Sequence, residues 1–302
     1  MTTPPAILEH LKQGDSKALA RAITLVENEQ EGYKELLFSL PPGSKVPVTG
    51  ITGPPGAGKS TLINALLRKL SADGKRIGVI AVDPTSPFNY GSLLGDRLRM
   101  AEHFTNPNVF IRSLATRGSL GGLSEKIIEI VDVMRVAGFD MILVETVGVG
   151  QSEVEIAGLA DTTLVVVVPE SGDEVQTLKS GIMEIADIFV VNKADREGAD
   201  HLRQNLNKLM AHPKAGGWQV PVIKCSATKN EGMEEVLLKI TEHQLSGSFD
   251  VKKTFLLTEK AYRLIQQKRM KTIRKKDLFD ALASLSTAPG FNLYRFADQF
   301  NN

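Results

Sequence analysis

Seven short apolar runs, rich in valine and isoleucine, punctuate the chain: VPVTGIT (46–52), RIGVIAV (76–82), NVFIRSL (108–114), DMILVE (140–145), TLVVVV (163–168), IFVVNK (188–193) and VPVIKCS (220–226). They are apolar almost throughout rather than alternating. A strand of that kind is buried on both faces, which an open antiparallel sheet rarely allows. Stretches of helical length lie between the runs, at 59–72, 122–137, 174–185, 199–211 and 231–245. A strand–helix series of this sort predicts an α/β fold with a doubly wound, mostly parallel sheet.

Two flanks fall outside the series. Residues 5–40 read as helices: in SKALARAITLVEN, Ala18, Leu19, Ala22, Ile23 and Val26 share one face. LPPGSKVP (40–47) breaks the pattern and reads as a linker. Residues 254–285 are helical again, with a stripe of Leu257, Ala261, Leu264 and Ile265 beside the basic run KRMKTIRKK (268–276). The expected organisation is a helical extension over 1–45, an α/β domain over 46–247 and a helical arm over 248–302.

Bulk properties narrow the partners. The 302 residues carry a net charge of +1, which gives no reason to expect a nucleic-acid or membrane surface. The longest apolar runs, such as LVVVV (164–168), are far short of the ~20 residues that span a bilayer. Cys225 is the only cysteine, so no internal disulfide can form, and MTTPPAILEHLKQGD at the start resembles neither a secretory nor a transit peptide. A cytoplasmic location is the expectation.

The segment GPPGAGKST (53–61) follows one predicted strand and precedes a predicted helix, the context that makes this pattern a P-loop. Gly53, Gly56 and Gly58 let the backbone turn its N–H groups inward toward phosphate oxygens, with Pro54, Pro55, Ala57 and Thr61 completing the cradle. The helix N-terminus adds a dipole that favours anions. Lys59 would reach the β- and γ-phosphates, and the Ser60 hydroxyl would ligate Mg²⁺.

NKAD (192–195) ends a buried run and supplies base recognition. The Asp195 carboxylate can accept from guanine N1–H and its exocyclic amine. Adenine lacks that pair of donors, so an adenine nucleotide would leave the carboxylate unpaired. Asn192 can brace the loop and the Lys193 stem can cover the ring. After the next run comes SAT, Ser226, Ala227 and Thr228, where a backbone N–H could meet the guanine oxygen.

FDMILVETVGVGQSE (139–153) then makes sense: in a P-loop sheet the carboxyl ends of the strands face the ligand crevice. Glu145 is placed there as an acid aimed at Mg²⁺ or its waters, and the Gly148 N–H can sense the γ-phosphate. Many GTPases have Asp-x-x-Gly where this chain has Glu145-x-x-Gly148. Val149 follows where a Ras-type protein carries its water-orienting glutamine, and Gln151 comes two positions later, so the hydrolytic water must be held differently. Asp83 in VIAVDPTSP and Asp96 in GSLLGDRLRM are further candidates for the metal's surroundings. The stretch 83–99 reads as a switch, and PESGDEVQTLKSG (169–181), with Asp173 and Lys179, as a loop on the same edge. The five histidines are scattered with no metal-ligand spacing to Cys225, and the basic run reads as a solvated helix face.

Together GPPGAGKSTL, VDPTSP, LLGDRLRM, ETVGVGQSE, GDEVQTLKSGIMEIAD, VNKAD and CSAT resemble the MeaB/MMAA group, also labelled ArgK, of GTPases associated with methylmalonyl-CoA mutase, in the SIMIBI branch of P-loop proteins. The resemblance runs from about residue 11 to about residue 245. It implies a homodimer with a C-terminal dimerisation arm. It also implies a GTP-hydrolysing chaperone that gates adenosylcobalamin loading and protects or reactivates a B12-dependent acyl-CoA mutase. By the resemblance, the magnesium and catalytic acids fall on Asp83, Asp96 and Glu145 and a third switch on about 170–182. The tail TIRKKDLFDALASLSTAPGFNLYRFADQFNN departs from the family pattern. Two other readings are a kinase of an amino-acid transport system, from the ArgK label, and a nickel metallochaperone, which would need a His-rich or Cys-bearing tract that this chain lacks.

Overall fold

The computed structural model describes residues 3–42, 46–83, 100–115, 123–146, 156–171, 180–214, 217–246, 248–285 and 290–300. Seven strands form one sheet: β1 (Val48–Thr52), β2 (Ile77–Asp83), β3 (Val109–Ala115), β4 (Met141–Glu145), β5 (Thr162–Val167), β6 (Ile188–Val191) and β7 (Val222–Lys224). Their order across the sheet is β3-β2-β4-β1-β5-β6-β7, and every pairing is parallel. The first strand therefore lies in the middle, and the chain winds outward from it to both sides. The doubly wound expectation holds.

Alternate residues of each strand feed opposite faces. On one face Ile51, Val79, Leu143, Val166 and Ile223 pack with α4 (Lys59–Ala72) and helix Met233–Leu245. On the other, Val165, Phe189 and Val191 pack with helix Ala199–Leu209. The rest of that second face, with Ile80, Val82, Ile142 and Val144, packs with helix Ile127–Arg135 and with the N-terminal helices α1 (Pro4–Lys12), α2 (Ser16–Glu27) and α3 (Tyr33–Ser39). Both faces are covered, which is why the strands read as unbroken apolar runs.

The α2 helix forms where its sequence says it should. Asp15 caps it, accepting from the Lys17 and Ala18 N–H groups at 2.7 and 3.2 Å, and these bonds hold its carboxyl below the usual carboxylate range. Leu19, Ala22, Ile23, Leu25 and Val26 then point into the core, each large one contributing about 1.5–3 kcal/mol on burial. Three cations tie these N-terminal helices to the α/β body. Arg112 on β3 meets Glu27 at 2.6 Å, Lys126 meets Glu29 at 2.8 Å, and Arg76 donates to the Gly14 carbonyl.

The chain separates into two compact units, 1–256 and 257–302, with the division inside helix Ser248–Met270. In the second unit, helices Lys275–Leu285 and Leu293–Asp298 have no buried residues. Leu264 and Ile265, part of the predicted stripe, are exposed. No helix among the described residues is long and apolar enough to cross a membrane.

Candidate functional site

The β1 strand ends at Thr52 and α4 begins at Lys59, so the glycine-rich turn joins the central strand directly to a helix. Two of its glycines are there for want of room. Gly53 has φ +139°, and a Cβ on it would stand 2.1 Å from the Val166 carbonyl oxygen of β5; on Gly58, φ +84°, it would stand 2.5 Å from Asn192 Nδ2. The Lys59 side chain is buried and folds back over the turn, its ammonium donating to the Gly53 and Pro54 carbonyls at 3.0 and 3.2 Å. A cation thus sits in the concavity beside the N-terminus of a 14-residue helix, where anions are favoured.

Glu145 is the last residue of β4, level with Ile51 on β1 and Ala81 on β2. The Ser60 hydroxyl donates to its Oε1 at 2.7 Å, and both residues are 3% exposed. Behind them the Thr146 hydroxyl donates to that of Thr52 at 2.9 Å. An alcohol and a carboxylate side by side make an oxygen-only donor set. That suits Mg²⁺, which commonly takes one or two protein oxygens and completes its shell with phosphates and water. No group of three or more His, Cys, Asp or Glu that could hold a metal occurs among the described residues, so they form no all-protein cage. Asp83 ends β2, two positions beyond the level of Glu145 in the neighbouring strand. Asp96, Gly148, Val149, Gln151, Asp173 and Lys179 lie outside the described residues.

On the other side of β1, Asn192 follows β6 and is 2% exposed. Its amide donates to the Ala57 carbonyl of the glycine-rich turn at 2.9 Å, and its Oδ1 accepts from the Ala227 N–H at 3.1 Å. One side chain thus joins the glycine-rich turn to the segment after β7. Since the Ala227 N–H is committed to Asn192, that donor is already engaged. The Cys225 thiol, pushed up to about 12 by burial, also donates to Asn192 Oδ1 at 3.5 Å and serves as neutral packing.

Asp195 lies at the surface end of this arrangement. Ser226 Oγ donates to its Oδ1 at 2.9 Å, and Lys229 Nζ stands 3.4 Å from Oδ2. The Ser226 hydroxyl above all, with a smaller contribution from Lys229, holds the carboxyl below the usual carboxylate range. An ionised carboxylate has about four acceptor sites, so two donors leave capacity for two more. Lys193 has φ +56°, a left-handed conformation that costs a non-glycine residue about 1–2 kcal/mol.

Lys229 and the hydroxyl pair Thr52–Thr146 did not stand out in the sequence. Lys229 follows directly after SAT, but nothing in its local pattern says that it turns back onto Asp195.

A glycine-rich turn of this form on the central strand, an acid on the adjacent strand and an Asn-Lys-Ala-Asp segment two strands away define a P-loop GTPase, an enzyme that hydrolyses GTP to GDP and phosphate. The family model for methylmalonyl-CoA mutase-associated GTPase MeaB matches residues 19–285, and the chain belongs to that family. Escherichia coli GTPase ArgK is 34% identical over 299 residues, covering 95% of this chain and 87% of its own. The mouse methylmalonic aciduria type A homolog, mitochondrial, is 37% identical over 261 residues, covering 79% of this chain and 63% of its own. Among solved structures, that of a LAO/AO transport system kinase superposes with a TM-score of 0.72 at 25% identity, covering 99% of this chain and 98% of its own.

Proposed function

We propose that this GTPase works as a chaperone of a B12-dependent acyl-CoA mutase, with methylmalonyl-CoA mutase the foremost candidate. Its nucleotide cycle gates adenosylcobalamin loading and protects or reactivates the mutase. The observation that carries this is the family match over 19–285, which extends beyond the nucleotide motifs into the N-terminal helices. The name of the mouse relative, drawn from methylmalonic aciduria, points the same way.

In the proposed site, Lys59 exchanges the Gly53 and Pro54 carbonyls for β- and γ-phosphate oxygens. Ser60 and Glu145, with Asp83 and Asp96, provide the surroundings of Mg²⁺, which when bound offsets charge on the β- and γ-phosphates. Gly148 senses the γ-phosphate. The Asp195 carboxylate reads guanine, Asn192 braces the turn below it, and the Lys193 stem and the segment Ser226–Thr228 border the base. Phosphoryl transfer to water asks of the chain mainly positioning and charge stabilisation. With Val149 at the place of a Ras-type glutamine, Asp83 and Glu145 at the ends of β2 and β4 are the fixed part of the site, completed when the segments that follow them close on the nucleotide.

Slow turnover alone and faster turnover with the mutase follow, provided the mutase binds the closed state better than the open one. By reciprocity, GDP and a non-hydrolysable GTP analogue change mutase affinity by different amounts. Both quantities can be measured with purified protein and mutase. Identical rates with and without mutase, and identical affinities in both nucleotide states, would refute the chaperone function and leave GTP hydrolysis untouched.

Asp195→Asn is expected to shift preference at least tenfold from guanosine toward xanthosine nucleotide, because an amide donates where guanine also donates and xanthine accepts. Competition calorimetry with GDP and XDP checks this, and an unchanged GDP affinity would remove Asp195 from the base site.

A homodimer is part of the proposal. Tyr262, Ile265, Phe279 and Tyr294 in the unit 257–302 are 65, 54, 71 and 84% exposed, more large apolar surface than a small unit normally leaves in water. The second functional reading is a kinase, favoured by the superposition on the LAO/AO transport system kinase. Labelled GTP that yields only free phosphate in the presence of candidate acceptors removes it.

A further inference from the structure

The strands β5 and β6 run side by side, with Val167 level with Val191, so the segments that leave them emerge together at the nucleotide edge. The first is the short turn Pro169–Ser171; the second is the base-reading segment 192–196. The chain just past that segment also passes close to the first: a Cβ on Gly198 would lie 3.7 Å from Pro169 Cβ. Across the gap the Arg196 guanidinium donates to the Glu170 carboxylate. Arg196 is also the residue whose N–H closes the base-reading turn, donating to the Lys193 carbonyl at 3.0 Å.

This turn needs holding. Lys193 is left-handed and gains by relaxing. Asn192 fixes the start of the segment and Ser226 fixes Asp195, while Arg196 at the far end is held by Glu170. We propose that Glu170 is a positioning residue for guanine recognition, acting through Arg196 to keep Lys193 and Asp195 in the arrangement that grips the base. The carboxyl of Glu170 is held below its usual range by Arg196 first and, with smaller effect, by the charge of Lys193, as expected of an acid facing two cations of the same turn. Its position just after β5 gives the turn Pro169–Ser171 a direct connection to the base-reading segment.

This inference rests on Asp195 being the guanine acceptor. The pair is about half exposed, 54% for Arg196 and 48% for Glu170, so its effect is modest and screened by salt. The test is the dissociation rate of fluorescent GDP and GTP from the full chain, with steady-state hydrolysis alongside. Glu170→Gln and Arg196→Met should each speed release of both nucleotides about threefold. KM should rise to match, and kcat at saturating GTP should stay unchanged. The double exchange Glu170→Arg with Arg196→Glu should restore slow release. Raising salt from about 50 mM to about 0.5 M should shrink the gap between parent and single variants. Unchanged release in both single variants overturns the inference, as does a double exchange that fails to restore it. Equal losses of kcat and melting temperature would mean general destabilisation and also overturn it. Asp195→Asn run in parallel separates the two levels. If it redirects preference to xanthosine nucleotide while Glu170→Gln changes nothing, base recognition by Asp195 stands and the positioning role falls. If it leaves guanine preference intact, both fall.

Discussion

Lys59→Ala is expected to cut GTP turnover at least a hundredfold, the scale seen when one preorganised charge-stabilising donor is removed, while the protein remains folded. Lys59 donates to two carbonyls of its own turn, Gly53 and Pro54, and its aliphatic stem is buried at the start of α4. Removing the ammonium takes away the positive charge in the concavity but leaves both glycine contacts and the Asn192 brace in place. Phosphate release at saturating GTP, with a thermal melt as a control for folding, measures it. Lys59→Gln, which keeps most of the stem, guards against collapse of the alanine variant. Turnover at the parent rate in a folded variant would show that Lys59 does not serve the phosphates.

Asn192→Ala should have the largest effect on stability and binding together. The side chain is the partner of two backbone groups, the Ala57 carbonyl and the Ala227 N–H. Leaving a buried polar group unsatisfied costs about 1–3 kcal/mol, so the pair amounts to about 2–6 kcal/mol. For a unit of this size that lowers the melting temperature by about 4–24 °C. Guanine nucleotide affinity should fall at least tenfold, because the phosphate turn and the base-reading segment lose their link. Denaturant unfolding and GDP titration give the two quantities. A loss of stability with GDP affinity unchanged would make Asn192 a packing residue and nothing more.

How much of this was legible in the sequence differs by kind of contact. The run VTGIT, the turn GPPGAGKST and helix Lys59–Ala72 are continuous in the chain, and they occur in the structure where the residues imply. Asn192 as a brace followed from its place at a strand end. Strand order was not readable, because apolar content says that a strand is covered and not which strand lies beside it. NVFIRSL looked as buried as the other runs. It forms the edge strand β3, whose residues 109–113 are only half-buried. Contacts that depend on strand order were equally hidden. Glu170 meets Arg196 because β5 neighbours β6, and Lys229 meets Asp195 because β7 neighbours β6. The predicted stripe of Leu257, Ala261, Leu264 and Ile265 marks a helix face, but periodicity does not say what covers it. The predicted helix 122–137 is shorter, Ile127–Arg135, since Lys126 takes a non-helical cap conformation and turns its ammonium to Glu29.

The N-terminal helices share a single hydrophobic cluster with Ile80, Val82, Ile142 and Val144 of the sheet. The first 39 residues are therefore no detachable appendage. Their removal would uncover the part of this cluster that they share with helix Ile127–Arg135, inviting self-association in place of a smaller folded enzyme. A cut in the connection near Pro41 would have a different outcome, because Leu19, Ile23 and Val26 would still hold the two pieces together without a peptide bond.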